Sequence, residues 1–312
     1  MSVHPSPLRL ERPNSCDRRM PSKNLVTRQK AALRSERVDA LRTLAMVWMT
    51  VFHFCFDLNH LGMMAKQNFY ADPFWTWQRT AIVSLFLFTA GISQALAIHQ
   101  QGLAGVSPLA RLDKRFWSRW LQVAGCAALV SAGSAVMFPA SFIYFGVLHG
   151  LAVMLVIARL TAGWGKGLWW AGGAIVALFY VAPYLINQCA VCHLFNERSF
   201  NWLGLITRKP VTEDFVPVVP WLAALWWGMA AGQWVLAHRM AWLGGGGAPS
   251  DLPAAQAGPV KAGAHQTKGA SHSWHDRLVS WLALPGRWSL SYYMLHQPVL
   301  IGSLLLWRWV QS

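Results

Sequence analysis

The chain alternates long apolar runs with short polar or basic segments. Seven of the runs approach the ~20 residues that an α-helix needs to cross ~30 Å of hydrocarbon at ~1.5 Å per residue. The pattern predicts transmembrane helices at roughly 39–58, 80–99, 118–138, 142–160, 166–186, 218–238 and 288–310. Only "PAS" (139–141) divides the third run from the fourth. Pro183 and Pro298 fall inside the fifth and seventh, where kinks are expected. The expected fold class is all-α, a polytopic membrane bundle of about seven helices.

Composition agrees with that pattern. Hydrophobic types make up 54% of the 312 residues and charged types 12%, about half the charged share of soluble domains. The net charge of +15 invites a nucleic-acid reading, but the positions of the charges argue against it. Most Lys and Arg fall on the segments that face one side when the N-terminus is cytoplasmic. That is the positive-inside bias of an odd number of spans, reinforced by attraction to anionic lipid. Trp75, Trp77, Trp117, Trp120, Trp164 and Trp221 sit near predicted span ends, where interfacial aromatics concentrate.

The remaining segments divide the chain. Residues 1–34 read as a disordered basic cytoplasmic tail and not as a signal peptide, because no small-residue cleavage site follows. Residues 35–243 hold the first six spans. Residues 244–273 form a Gly/Ala/Pro linker whose His265 and His272 lack metal-site spacing. In 274–312 the last span follows "WHDRLVSWLAL". There Trp274, Leu278, Trp281 and Leu282 recur at helical spacing, as in a helix lying in the membrane interface.

Candidate chemistry lies inside the spans. "HFCFDLNH" (53–60) places His53 and Asp57 four apart, on one helix face. A carboxylate there can accept from one ring nitrogen and leave the other basic. A charged side chain at the centre of a span costs at least ~2.5–3.5 kcal/mol, so it needs a reason. His149 and His296, from the fourth and seventh spans, are expected to converge with His53 on the outer half of the membrane; each is otherwise a packing residue bonded to a carbonyl. On the inner side, Asp39 and Arg42 form an interfacial ion pair, or Arg42 meets an anionic cofactor. Arg111, Lys114 and Arg115 in "RLDKRFWSR" serve either topology or a phosphate clamp.

The outer loop adds two features. Cys189, Cys192 and His193 spell the C-x-x-C-H of covalent haem attachment. A local disulfide or free thiols are the commoner outcome of such a pair on that side. Glu213 and Asp214 precede the sixth span. They serve its positive N-terminal end or hold a cationic substrate at the outer mouth. No metal site is expected. Two other classes stay open on residues alone: a haem-bearing electron-transfer protein and a proton-coupled transporter.

Five blocks carry a resemblance: "RVDALRTLAMVWMTVFHFCFDLNHLG", "DPFWTWQRTAIVSLFLFTAGISQALA", "IYFGVLHGLAV", "NWLGLITRKP…DFVPVVPWLAALWWGMAAGQ" and "GRWSLSYYMLHQPVL". Together they resemble the bacterial membrane proteins related to heparan-alpha-glucosaminide N-acetyltransferase. The resemblance implies a transmembrane acyltransferase in a bacterial inner (cytoplasmic) membrane. It would pass the acetyl group of cytoplasmic acetyl-CoA to an extracytoplasmic amino sugar or other glycan acceptor; a homodimer is compatible with it. In the animal enzyme an asparagine of the first span is followed by a catalytic histidine. Aligned from Val38-Asp39 through Arg42, His53 falls on the asparagine, and His60 is the nearest candidate for the histidine. The expected roles are then His53 as base oriented by Asp57, with His60 as second choice. His149, His296 and Gln297 would be donors to the developing oxyanion, Gln297 also touching substrate beside Glu213 and Asp214. Arg42, Arg111, Lys114 and Arg115 would take the phosphates.

Overall fold

A computed structural model describes residues 35–188, 194–238 and 274–311. Among these residues the elements are α1 (Glu36–His60), α2 (Pro73–Gln100), α3 (Lys114–Met137), α4 (Val147–Thr161), α5 (Gly167–Asn187), α6 (Val218–His238), α7 (Trp274–Gly286) and α8 (Ser289–Gln311). The described residues contain no β-strand, and the fold is an all-α membrane bundle. Glu36–His60, Pro73–Gln100, Lys114–Met137, Val147–Trp164 and Gly167–Asn187 are long and apolar enough to cross a membrane. The helices α6 and α8 match them in length; Trp, Gln and His side chains lower their apolarity.

Polar caps extend the helices beyond their apolar runs. Ser35 starts α1 by accepting from the Val38 N–H at 3.4 Å. Asp72 caps α2 through Phe74 at 2.8 Å, and Asp113 caps α3 through Phe116 at 3.0 Å. Each supplies an acceptor that the first turn lacks internally. The fourth helix departs from expectation: it begins at Val147, not at 142. Residues 142–146 are non-helical, and the Val216 N–H donates to the Phe145 carbonyl at 3.2 Å. Pro183 and Pro298 lie inside α5 and α8.

The tightest packing is between α2 and α6. A side chain at Gly91 would strike the Leu225 carbonyl and the Met229 nitrogen, and one at Gly228 would strike the Phe88 backbone. Small residues let these two backbones touch, the usual basis of helix association in lipid. Leu87, Met154, Leu168, Leu225 and Met229 are buried around this pair. A second buried cluster, Met49, Phe52, Phe69 and Ile82, lies between α1 and α2. The short helix α7 crosses the start of α1. Gly286 meets the Asp39 backbone, the Ser280 hydroxyl donates to Glu36 at 2.7 Å, and Thr43 donates to the Leu282 carbonyl at 2.5 Å. Trp274, Leu278, Trp281 and Leu282 all remain exposed, so the stripe read from the sequence faces away from the bundle.

Candidate functional site

Two polar clusters lie toward the two ends of α1, called inner and outer after the sides that a cytoplasmic N-terminus would give them. The outer one joins α1 to α8. Asp57 is 3% exposed. Its Oδ1 accepts from Gln297 Nε2 at 2.9 Å, and its Oδ2 has no partner. The carboxylate therefore meets α8 and not His53, although the two share a helix face. The neighbour of His53 is His296, with ring centroids 5.2 Å apart. His296 Nδ1 bonds the Tyr293 carbonyl at 2.7 Å. A carbonyl oxygen only accepts, so Nδ1 carries the proton and Nε2 holds a lone pair. That Nε2 is buried and unpartnered, as is Gln297 Oε1. Tyr292 stacks on His296 at 5.9 Å and bonds Thr50 at 2.5 Å. Thr50 already gives its proton to the Met46 carbonyl at 2.8 Å, so the tyrosine donates. Beside them runs an open cleft of about 320 Å³, lined by Thr50, Tyr292 and His296 with apolar Leu295 and Val299.

His149 does not join this cluster. Its Nδ1 accepts from the Gly146 N–H at 3.3 Å. Its Nε2 meets Ser131 Oγ at 3.1 Å, and that hydroxyl donates to the Ile143 carbonyl at 2.6 Å. The imidazole is thus neutral with both nitrogens engaged, and it caps the start of α4. Asp214 caps the same helix, accepting from the Val147 N–H at 2.7 Å; the sequence reading had offered it to the sixth span. Burial raises the Asp214 carboxyl above its ordinary range, opposed by that N–H and by Arg79 and Lys209. Glu213 is exposed, and its carboxylate accepts from Ser141 at 2.5 Å. His60 is exposed at the end of α1, with Phe56 as its aromatic neighbour.

The inner cluster is built of guanidinium groups. Arg42 pairs with Asp39 at 3.0 Å and also donates to Ser93. Arg111 is 6% exposed. Its Nε and Nη2 reach the carbonyls of Leu103 and Ala104 at 3.4 and 3.5 Å, and its Nη1 is buried without a partner. Arg159 is 3% exposed. It donates to Gln94 at 2.8 Å, to Gln101 at 3.2 Å and to the Arg111 carbonyl at 3.1 Å, and lies over Phe116. Lys114 and Arg115 are exposed on the first turn of α3. Arg159, Gln94 and Gln101 are not among the site residues expected from the sequence. The signal was present: an arginine inside the predicted fourth span needs the same justification as His53.

The C-x-x-C-H segment at Cys189, Cys192 and His193 lies outside the described residues, as do the 1–34 tail and the 244–273 linker. Among the described residues no group of three or more His, Cys, Asp or Glu is arranged to hold a metal ion.

Residues 34–256 match the family model described as heparan-alpha-glucosaminide N-acetyltransferase, catalytic. The match covers more than half of the chain. The chain belongs to the heparan-alpha-glucosaminide N-acetyltransferase catalytic family. No significant match came from the curated proteins or from the solved structures. The match to the acetyltransferase family takes in His53, Asp57, Arg111 and Arg159 and stops before α8. The outer cluster therefore combines groups from inside and outside the matched region. An acyl-CoA donor of this family needs cationic donors for its phosphates. The buried, unpartnered Nη1 of Arg111, with no carboxylate bonded to it, fits that requirement.

Proposed function

We propose that this protein transfers an acyl group, acetyl by family, from cytoplasmic acyl-CoA to an amine of a glycan or similar acceptor in the outer half of the membrane. The observation that carries the reading is the meeting of half-buried His53 with buried His296 beside the Asp57–Gln297 pair, since the attacking amine needs a proton acceptor. A sugar ammonium must lose a proton before its nitrogen can attack, and a neutral imidazole suits that task.

At the inner end, Arg42, Arg111 and Arg159 supply positive charge at the depth where the nucleotide phosphates of a donor would stop. Lys114 and Arg115 add to it from the surface. An apolar cleft runs beside His296, and the proposed course of the acyl-bearing arm is along it. The positive-inside bias supports a cytoplasmic N-terminus, and the resemblance of the five sequence blocks makes a bacterial cytoplasmic membrane the proposed setting.

The test is acetyl transfer in proteoliposomes of one orientation. Labelled acetyl-CoA is placed on the face of the N-terminus and glucosamine on the other. Labelled N-acetylglucosamine is expected only on the glucosamine side, with one CoA released per acetyl group. Transport of glucosamine without CoA release would replace the acyltransferase reading with a transporter.

A further inference from the structure

We infer that His296, and not His53, is the general base, working through Nε2, with Asp57 and Gln297 orienting the nucleophile beside it. The inference rests on the acyltransferase reading above and names the group that takes the proton.

Four observations converge on it. The Tyr293 carbonyl fixes the His296 ring in the Nδ1–H form, so Nε2 keeps its lone pair. That nitrogen is buried and has no partner. A buried polar atom left unpaired is costly, so its persistence calls for a ligand. The same ring lines the cleft, whereas His53 does not. Among the described residues no hydrogen bond orients the His53 ring, whose neighbours are the rings of Phe52 and His296.

The second element is the chemistry of the empty valences. His296 Nε2, Asp57 Oδ2 and Gln297 Oε1 are all unsatisfied, and all three are acceptors. Gln297 must point its nitrogen at Asp57 Oδ1, which leaves its oxygen outward. A site made of acceptors alone is complete only when a donor enters. The group it waits for carries several N–H or O–H bonds, and the oxyanion does not meet that description. His296 was expected from the sequence to donate to the oxyanion; its free nitrogen has no proton to give.

The transfer forms one C–N bond and breaks one C–S bond. The ammonium nitrogen loses two protons in all. His296 Nε2 takes them in turn; one ends on the departing sulfur and one leaves to solvent. In the bound ammonium, Asp57 and Gln297 accept from the two N–H bonds that do not face His296; they are positioning residues.

The experiment compares His296→Asn with His53→Asn in the full chain, in the proteoliposome assay with acetyl-CoA and glucosamine. Loss of a positioned base is expected to lower kcat/KM about hundredfold or more for His296→Asn and to abolish the rise of rate with pH. His53→Asn should keep that rise and lose less rate than His296→Asn. The opposite ranking overturns the inference. A second measurement needs no turnover: ¹⁵N NMR of histidine-labelled wild-type protein. His296 should show the Nδ1–H tautomer, and its Nε2 signal should move when glucosamine is added. An Nε2–H tautomer, or movement of His53 alone, also overturns it. A wild-type protein silent in the transfer assay would sink the proposed reaction, and the NMR result would still decide the base.

Discussion

The outer and inner clusters are opposites in what they lack. At the outer one, every buried atom without a partner is an acceptor: Asp57 Oδ2, His296 Nε2 and Gln297 Oε1. At the inner one, the orphan is a donor, Arg111 Nη1. Burial makes both costly, so the two ends of the bundle are prepared for partners of opposite character. The outer end suits a group that gives up protons; the inner end suits an anion. The contrast also separates residues that share a type. His149 has both nitrogens satisfied and serves α4, while His296 has one nitrogen satisfied and one open. Arg159 is held by two glutamines and a carbonyl, while Arg111 keeps the two N–H bonds of Nη1 in reserve.

The largest effect that would break this contrast is expected at Asp57. Replacing it by Asn keeps an oxygen for Gln297 Nε2 and removes the charge. If the outer cluster orients a nucleophile through that carboxylate, acetyl transfer to glucosamine should fall by about hundredfold, within the range for positioned acid–base groups. Acetyl-CoA affinity, measured by calorimetry in detergent, should be unchanged. An equal loss of donor affinity would mean that the outer and inner clusters are not separate.

The inner end gives the next effect. Arg111→Gln removes a buried guanidinium with an open N–H. A charge-assisted hydrogen bond contributes about 1.5–3 kcal/mol, so acetyl-CoA should bind roughly tenfold to hundredfold more weakly. Transfer at saturating donor should be little altered. Lys114 and Arg115, exposed on the surface, should matter less and lose their effect in salt, because exposed charges are screened. Unchanged affinity in Arg111→Gln would return that residue to a purely structural role.

Much of the bundle could be read from apolar run lengths, because a span must satisfy its own backbone. The stripe of Trp274, Leu278, Trp281 and Leu282 was equally legible, since helical spacing alone puts those residues on one face. What the sequence misplaced was pairing between helices. His53 and Asp57 do share a face, but a shared face does not decide a bond: Gln297 arrives from α8 and takes the carboxylate. The start of α4 was misjudged because "FIYFG" is as apolar as a helix. Its backbone instead meets 212–216, with Thr212 donating to the Phe142 carbonyl at 2.9 Å. Arg159 is visible in the sequence as a charge within a span, but only its partners, Gln94 on α2 and Gln101 just past its end, reveal what satisfies it.

The smallest effect concerns Asp214, which belongs to neither cluster and so tests whether outer-side pH effects arise from chemistry or from the scaffold. Burial raises its carboxyl above the ordinary value, with the Val147 N–H, Arg79 and Lys209 pulling the other way. A carboxyl raised on folding binds its proton more tightly in the folded state. Its contribution is therefore most favourable below the unfolded value and is lost as pH rises through the folded one. Asp214→Asn keeps an oxygen for Val147 and has no proton to lose. Melting temperatures in detergent should show wild type losing ground to Asp214→Asn as pH climbs from about 4, the usual carboxylate value, toward neutrality. The difference should stay within about 1–2 kcal/mol, because the N–H bond and the two cations offset part of the desolvation. The pH dependence of acetyl transfer should be the same in both proteins. A shifted activity profile in Asp214→Asn would assign the outer pH response to the α4 cap and not to the His296 site.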